Sequence, residues 1–151
     1  MLIVQKKDDG FNTGNLQYDQ MYENIVGDGS HSVDVVVGRL LLALGFKSKL
    51  IGTTYLKDAI LLRYNKTNAS RIGLISDIYP AVAEKQESTV NRVERAIRNT
   101  INECYSRGTL LGLNNLFKCQ VISPVYAPTN GELLSSIVDW LQIERQQHRV
   151  K

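Results

Sequence analysis

Ser88-Thr89-Val90-Asn91-Arg92-Val93-Glu94-Arg95-Ala96-Ile97-Arg98-Asn99-Thr100-Ile101-Asn102-Glu103-Cys104-Tyr105-Ser106-Arg107-Gly108 is the stretch that decides how this chain is read. Its apolar residues Val90, Val93, Ile97, Ile101 and Cys104 step by three and four, so they share one face of a helix, with Ala96 and Thr100 beside it. Ser88 or Thr89 suits the N-cap, and Gly108 suits the position just past the end. Asn91, Arg92, Glu94, Arg95, Arg98, Asn99 and Asn102 occupy the rest of the surface. Arg92, Arg95 and Asn99 follow one ridge, and Asn91, Glu94 and Arg98 follow the neighbouring one. Three arginines in the first three turns oppose the positive end of the helix dipole, so something outside the helix is expected to compensate. DNA phosphates and guanine edges would do so, because a guanidinium binds either in bidentate fashion. Glu94 is repelled by phosphate and suits a DNA-facing helix only as an acceptor for cytosine N4. The alternative is a Glu94–Arg98 pair on a solvated face, worth about 0.2–0.5 kcal/mol. On pattern alone, recognition helix and solvated helix both stay open.

Working outward, Tyr79-Pro80-Ala81-Val82-Ala83 and the polar turn Lys85 to Ser88 precede this helix, giving the outline of a helix-turn-helix. Such helix pairs are common in all-α proteins, so the outline is weak by itself. Val33, Val36, Val37, Leu40, Leu41 and Leu44 predict a first helix that Gly45 stops. Gly52 opens a second, with Tyr55, Leu56, Ala59, Ile60 and Leu62 apolar, ending in the loop Asn65-Lys66-Thr67-Asn68. A third runs from about Ser70 through Ile72, Ile75, Ile78, Tyr79, Val82 and Ala83, and Pro80 either kinks it or marks the first turn of a new helix. The quoted helix is the fourth, and a short fifth fits Leu110 to Phe117. Cys119 to Pro128, with Pro124, reads as loop or extended chain. Thr129-Asn130-Gly131-Glu132 is a capping box for a last helix carrying Leu133, Leu134, Ile137, Val138, Trp140 and Leu141. Six helices without a convincing sheet predict an all-α domain.

Composition narrows the function. The 151 residues are 43% hydrophobic and 22% charged, ordinary values for a globular domain. Net charge is only +3, but residues 1–37 set two lysines against six acids, a balance of −4 that leaves +7 on the remainder. A compact basic body attracts polyanions, nucleic acid foremost. Residues 8–32 are rich in Gly, Asp, Asn and Ser and sparse in large aliphatics, so residues 1–32 are read as a flexible acidic leader and 33–151 as the domain. Asp8–Asp9 reads as solvated loop charge rather than a metal or phosphoacceptor fragment. Cys104 and Cys119 form no zinc-ligand spacing, and no metal or cofactor is implied. The N-terminus has no signal-peptide core, and Val33 to Phe46 is shorter than the roughly 20 residues of a membrane helix, so a cytoplasmic protein without a membrane partner is expected. His31 and His148 lack a nucleophile nearby in sequence, Cys104 lies on an apolar face, and no HExxH, GxSxG or phosphate loop occurs, so no enzyme is expected. The aromatic residues are scattered rather than arrayed for stacking on single strands.

Tyr79-Pro80 with Ile78 and Ala83, Asn91-Arg92-Val93-Glu94-Arg95-Ala96-Ile97-Arg98, Ser106-Arg107-Gly108, Leu116-Phe117, and Pro128-Thr129-Asn130 with Glu132 resemble, in this order, the effector domain of stage zero sporulation protein A, the sporulation response regulator of endospore-forming bacteria. The resemblance runs from about Leu40 to about Glu144. It implies a six-helix domain of the winged-helix-like response-regulator effector class, without a clear sheet, whose fourth helix enters the DNA major groove. It also implies that Arg92, Glu94 and Arg95 read base edges in a G·C-containing box and that Arg98 supports the contact. Asn91 and Asn99 depart from the family, which more often has a small hydroxyl residue and a histidine there, yet they and Lys85 are expected near DNA, with Lys66 and Arg71 as further phosphate contacts. Leu116, Phe117 and Lys118 match the region through which the family contacts RNA polymerase sigma factor, although Leu111, Gly112, Lys118 and Cys119 differ from it. Repression by occupancy is the alternative outcome to activation.

Family members carry a phosphoacceptor receiver ahead of this module, and thirty-odd polar residues are too few for one. A stand-alone paralogue or an effector without its own regulator is therefore expected, and pairing into a homodimer on tandem boxes would have to come from the domain itself. The rival function is a protein-interaction module that modulates a sporulation regulator or polymerase without binding operator DNA. The acidic leader is expected to fold back on the basic helix as a mild competitor of DNA. Deleting residues 1–32 should then raise DNA affinity at low salt, and an unchanged affinity removes the idea.

Overall fold

The structure, a computed structural model, describes residues 20–66 and 73–150. After a helical stretch over 20–26 come α1 (Val33–Ala43), α2 (Ile51–Asn65), a π-helical turn (Leu74–Ile78), α3 (Tyr79–Lys85), α4 (Val90–Ser106), a 3-10 turn (Thr109–Leu111), α5 (Gly112–Phe117) and α6 (Asn130–Val150). The fold is all-α, and no strand occurs among the described residues. Asp8–Asp9, Arg71 and the expected helix start at Ser70 lie outside the described residues, as does the side chain of His148.

Local chemistry accounts for the boundaries. The Ser32 hydroxyl accepts from Val35 N at 3.3 Å and starts α1. The Thr89 hydroxyl accepts from Arg92 N at 3.2 Å and starts α4, which ends where Gly108 takes the left-handed φ of 84°. The capping box forms reciprocally: Glu132 N donates to Thr129 Oγ1 at 3.1 Å, and Thr129 N donates to Glu132 Oε1 at 2.9 Å. Pro80 sits in the first turn of α3, where a missing N–H costs nothing, so of its two readings the new helix holds. The fifth helix is divided, its first turn wound as 3-10 before α5 begins at Gly112.

One core gathers Leu40, Leu41 and Leu44 of α1, Leu56 and Ile60 of α2, Val82 of α3, Ile97 and Ile101 of α4, and Leu133, Ile137 and Leu141 of α6. Full burial of each such side chain contributes about 1.5–3 kcal/mol. Cys104 is core, as its position on the apolar face predicts: its thiol donates to Leu44 O at 3.0 Å, and burial pushes its pKa up. Trp140 is likewise buried, stacked on Phe117 with ring centroids 5.8 Å apart.

The boundary drawn at Ser32 needs correction over residues 20–32. Ile25 and Val26 are core residues at 0% and 3% exposure. The Tyr22 hydroxyl donates to Glu144 Oε1 at 2.7 Å, and Arg145 Nη1 donates to His31 O at 2.7 Å, so this segment is strapped to α6. Burial and the Glu144 carboxylate together push the Tyr22 pKa well above the ordinary phenol value. Two adjacent aliphatics among Asp, Asn and Gly carry no legible helical period, and only the surface of α6 gives them something to cover. Removing residues 1–32 would therefore cut into the core, and the leader is tested by a cut before Gln20. Ile25→Ala should lower unfolding free energy by about 2–5 kcal/mol in urea titration, whereas an unchanged midpoint would place Ile25 outside the core.

Candidate nucleic-acid interface

The interface is built on α4, and α4 is held from three sides. Against its inner face lies α2, and this is the most extensive helix–helix contact in the fold. The approach is close because Gly52 has no side chain: a Cβ there would collide with the Ala96 carbonyl and the Thr100 hydroxyl. Below it, α3 and the turn are locked to α2 by Asp58, a carboxylate only 8% exposed. Asp58 accepts from Lys85 Nζ at 3.1 Å and from the Gln86 side-chain amide. The turn is closed by Ser88 N donating to Ala83 O at 2.8 Å, with Glu87 in the left-handed region at φ 54°. From the third side, Asn130 at the start of α6 donates to the Tyr79 hydroxyl at 3.0 Å and to the Glu94 carbonyl at 3.2 Å. Burial raises the Tyr79 pKa, so its hydroxyl stays protonated in this clamp.

Helical geometry then places the polar residues. Val93, Ile97, Thr100, Ile101 and Cys104 are buried, which turns Asn91, Arg92, Arg95, Arg98, Asn99 and Asn102 outward as exposed side chains. Glu94 is half-buried on one flank and pairs with Arg98 at 3.5 Å, the i,i+4 contact of the solvated-face alternative. No carboxylate lies within 4.0 Å of Arg92 or Arg95 among the described residues. The far end of α4 differs. Glu103 accepts from Arg107 Nε at 2.8 Å and lies 3.9 Å from Lys47, and Arg107 Nη2 also donates to Gly45 O at 2.6 Å. The Arg107 bond holds the Glu103 carboxyl below its ordinary range. Positive charge is thus neutralised at the C-terminal end of α4 and left open at the N-terminal half.

A family model described as sporulation initiation factor Spo0A C terminal matches residues 37–141. The chain belongs to this family. The Spo0A C-terminal family consists of helical DNA-binding effector domains of sporulation, and the matched span takes in α4 and every candidate site residue. Double-stranded DNA is accordingly a partner of this domain.

The remaining candidates are placed as follows. Lys85 stands on the turn with its side chain 62% exposed, although Asp58 engages its ammonium. Lys66 is exposed at the end of α2. Leu116 is buried and belongs to the core, Phe117 is half-covered by its stack on Trp140, and Lys118 is exposed at φ 60°. Sequence reasoning missed Asp58, Gly52 and the bridging role of Asn130. An acid inside the run Tyr55-Leu56-Lys57-Asp58-Ala59-Ile60 was a usable signal, since a buried carboxylate demands a partner. Nothing local distinguished Gly52 from a helix-opening glycine. Gly52→Ala should cost about 1–3 kcal/mol in urea unfolding by forcing α2 away from α4, and a neutral result would show that the two helices can separate freely.

Proposed function

We propose that this chain is a sequence-specific transcriptional regulator whose helix 88–107 lies in the major groove of double-stranded DNA. Arg92, Glu94 and Arg95 read base edges, and Asn91, Arg98, Asn99 and Lys85 contact the duplex around them. The observation that carries this reading is the pair of outward guanidinium groups, Arg92 and Arg95, without a counter-charge among the described residues on a helix anchored from three sides. A lone α-helix fits the major groove, and bidentate Arg–guanine pairing is its commonest specific contact. The Glu94–Arg98 pair is compatible with the role. It is exposed and worth at most about 1 kcal/mol, and it leaves one Glu94 oxygen to accept from cytosine N4. Lys85 keeps donors for a phosphate beyond the bond to Asp58, because an ammonium carries more than one.

Two copies on tandem boxes and contact with RNA polymerase sigma factor belong to the same proposal. With Leu116 in the core, the sigma contact would rest on Lys118 and the rim of Phe117. The second reading, a protein-interaction module, is favoured by one observation: a cleft of about 660 Å³ between α5 and α6, lined by Phe117, Val121, Trp140 and Ile143.

Fluorescence anisotropy with a tandem family box and a scrambled duplex, at 50 and 200 mM salt, separates the readings. A groove reader loses roughly 10³–10⁵ in affinity over that range if it makes about six to ten phosphate contacts. Arg95→Ala should relax discrimination at one base pair by about 1–3 kcal/mol while the protein stays folded. Binding indifferent to both salt and sequence would overturn the proposal.

A further inference from the structure

Beside the outward ridge of α4 lies a cleft of about 410 Å³ whose lining includes Arg92, Arg95, Ala96 and Asn99 from α4 and Ile51 and Tyr55 from α2. Ile51 is the anomaly in it. It is 56% exposed, and it occupies the first position of α2. Single exposed aliphatics are ordinary on a protein surface. Others occur here: Ile75 stands near Glu94 and the paired Arg98 on the opposite flank, while Val125 and Tyr126 follow α5. Ile51 differs because it shares one cleft with both unpaired guanidinium groups, where a surface serving only to attract phosphate would carry a polar or basic residue. Its backbone is also well held. Leu50 N donates to Lys47 O and Thr53 N donates to Leu50 O, each at 3.0 Å, and Gly52 seats the same turn against Ala96 and Thr100. An apolar group is thus presented at a fixed height next to the DNA-facing ridge.

The major groove offers one apolar feature at the base edges, the 5-methyl group of thymine. The geometry points to Ile51 as a specificity-determining residue that packs on a thymine methyl beside the base pairs read by Arg92 and Arg95. This rests on the reading of α4 as the recognition helix and adds to it an element outside that helix: α2 contributes to sequence choice through its first residue. Ile51 and the Ala96 methyl form an apolar notch, and a thymine there gains a contact that uracil or cytosine cannot make. Asn99 on the same cleft supplies an amide that can pair with the N6/N7 edge of the adenine opposite.

The test uses the full chain and a duplex selected by it from a randomised library. Each thymine of the selected duplex is replaced in turn by uracil, which removes the methyl group and leaves the pairing intact. At one position uracil should weaken binding about fourfold, the worth of one buried methyl group. Ile51→Ala should lose that difference while binding the uracil duplex as the unaltered chain does, and its exposed position keeps the variant folded. Discrimination at G·C pairs should persist in Ile51→Ala and fall in Arg95→Ala. If every uracil replacement affects the two proteins equally while Arg95→Ala still relaxes specificity, the assignment of Ile51 is overturned and the recognition helix stands; a contact to deoxyribose would give this result. If the selection yields no consensus and Arg95→Ala changes nothing, the recognition helix and Ile51 fall together.

Discussion

The close approach of α2 to α4 at Gly52 is the constraint on which the rest of the molecule depends. A helix surface normally holds its neighbour at 8–10 Å through side chains. Here the missing Cβ lets the backbone of α2 come down onto the Ala96 carbonyl and the Thr100 side chain. That contact fixes the rotation of α4 about its own axis, because Val93, Ile97 and Ile101 can be buried together in one orientation only. Once the rotation is set, Arg92 and Arg95 have no interior to enter and project outward. The same approach delivers Ile51 to the edge of the ridge. A packing requirement in the core thereby decides the layout of the surface.

The charges on α4 are arranged at some cost to the helix itself. Arg107 near the C-terminus complements the dipole and closes on Glu103 and the Gly45 carbonyl, which ties the end of α4 to the end of α1. At the other end the first turn carries no acid, and Arg92 and Arg95 face the positive pole. A helix selected for stability alone would have the reverse pattern. The stabilisation withheld there is offset by anchoring from neighbours: the Thr89 cap, the Asp58 link to Lys85 and Gln86, and the Asn130 bridge between Tyr79 and the Glu94 carbonyl. Rigid support beneath unsatisfied charge is what a site for a polyanion requires, because the charged groups are then already placed when the ligand arrives.

Much of this was legible one element at a time. The period of Val93, Ile97 and Ile101, the Thr89 cap, the Gly108 stop and the reciprocal Thr129–Glu132 box are local rules, and each holds in the structure. The misreading over residues 20–32 has a physical cause: Ile25 and Val26 stabilise nothing until α6 covers them, and the glycines and acids around them dominate the local pattern. Asp58 illustrates the converse. Its place among aliphatics announces a buried partner, yet Lys85 and Gln86 lie 27 and 28 residues away, and no spacing rule connects them.

By itself the sequence determined the helices, their caps and which face of α4 is polar, because these depend on hydrogen bonds and periodicities spanning a few residues. The tertiary structure decided which of the polar groups stay open. Glu94 takes Arg98, Glu103 takes Arg107, and Arg92 and Arg95 are left without a counter-charge among the described residues. That partition turns on distances of a few ångströms between side chains whose positions are set by α2, α3 and α6 packing around one helix, a relation among elements that no single stretch of chain contains.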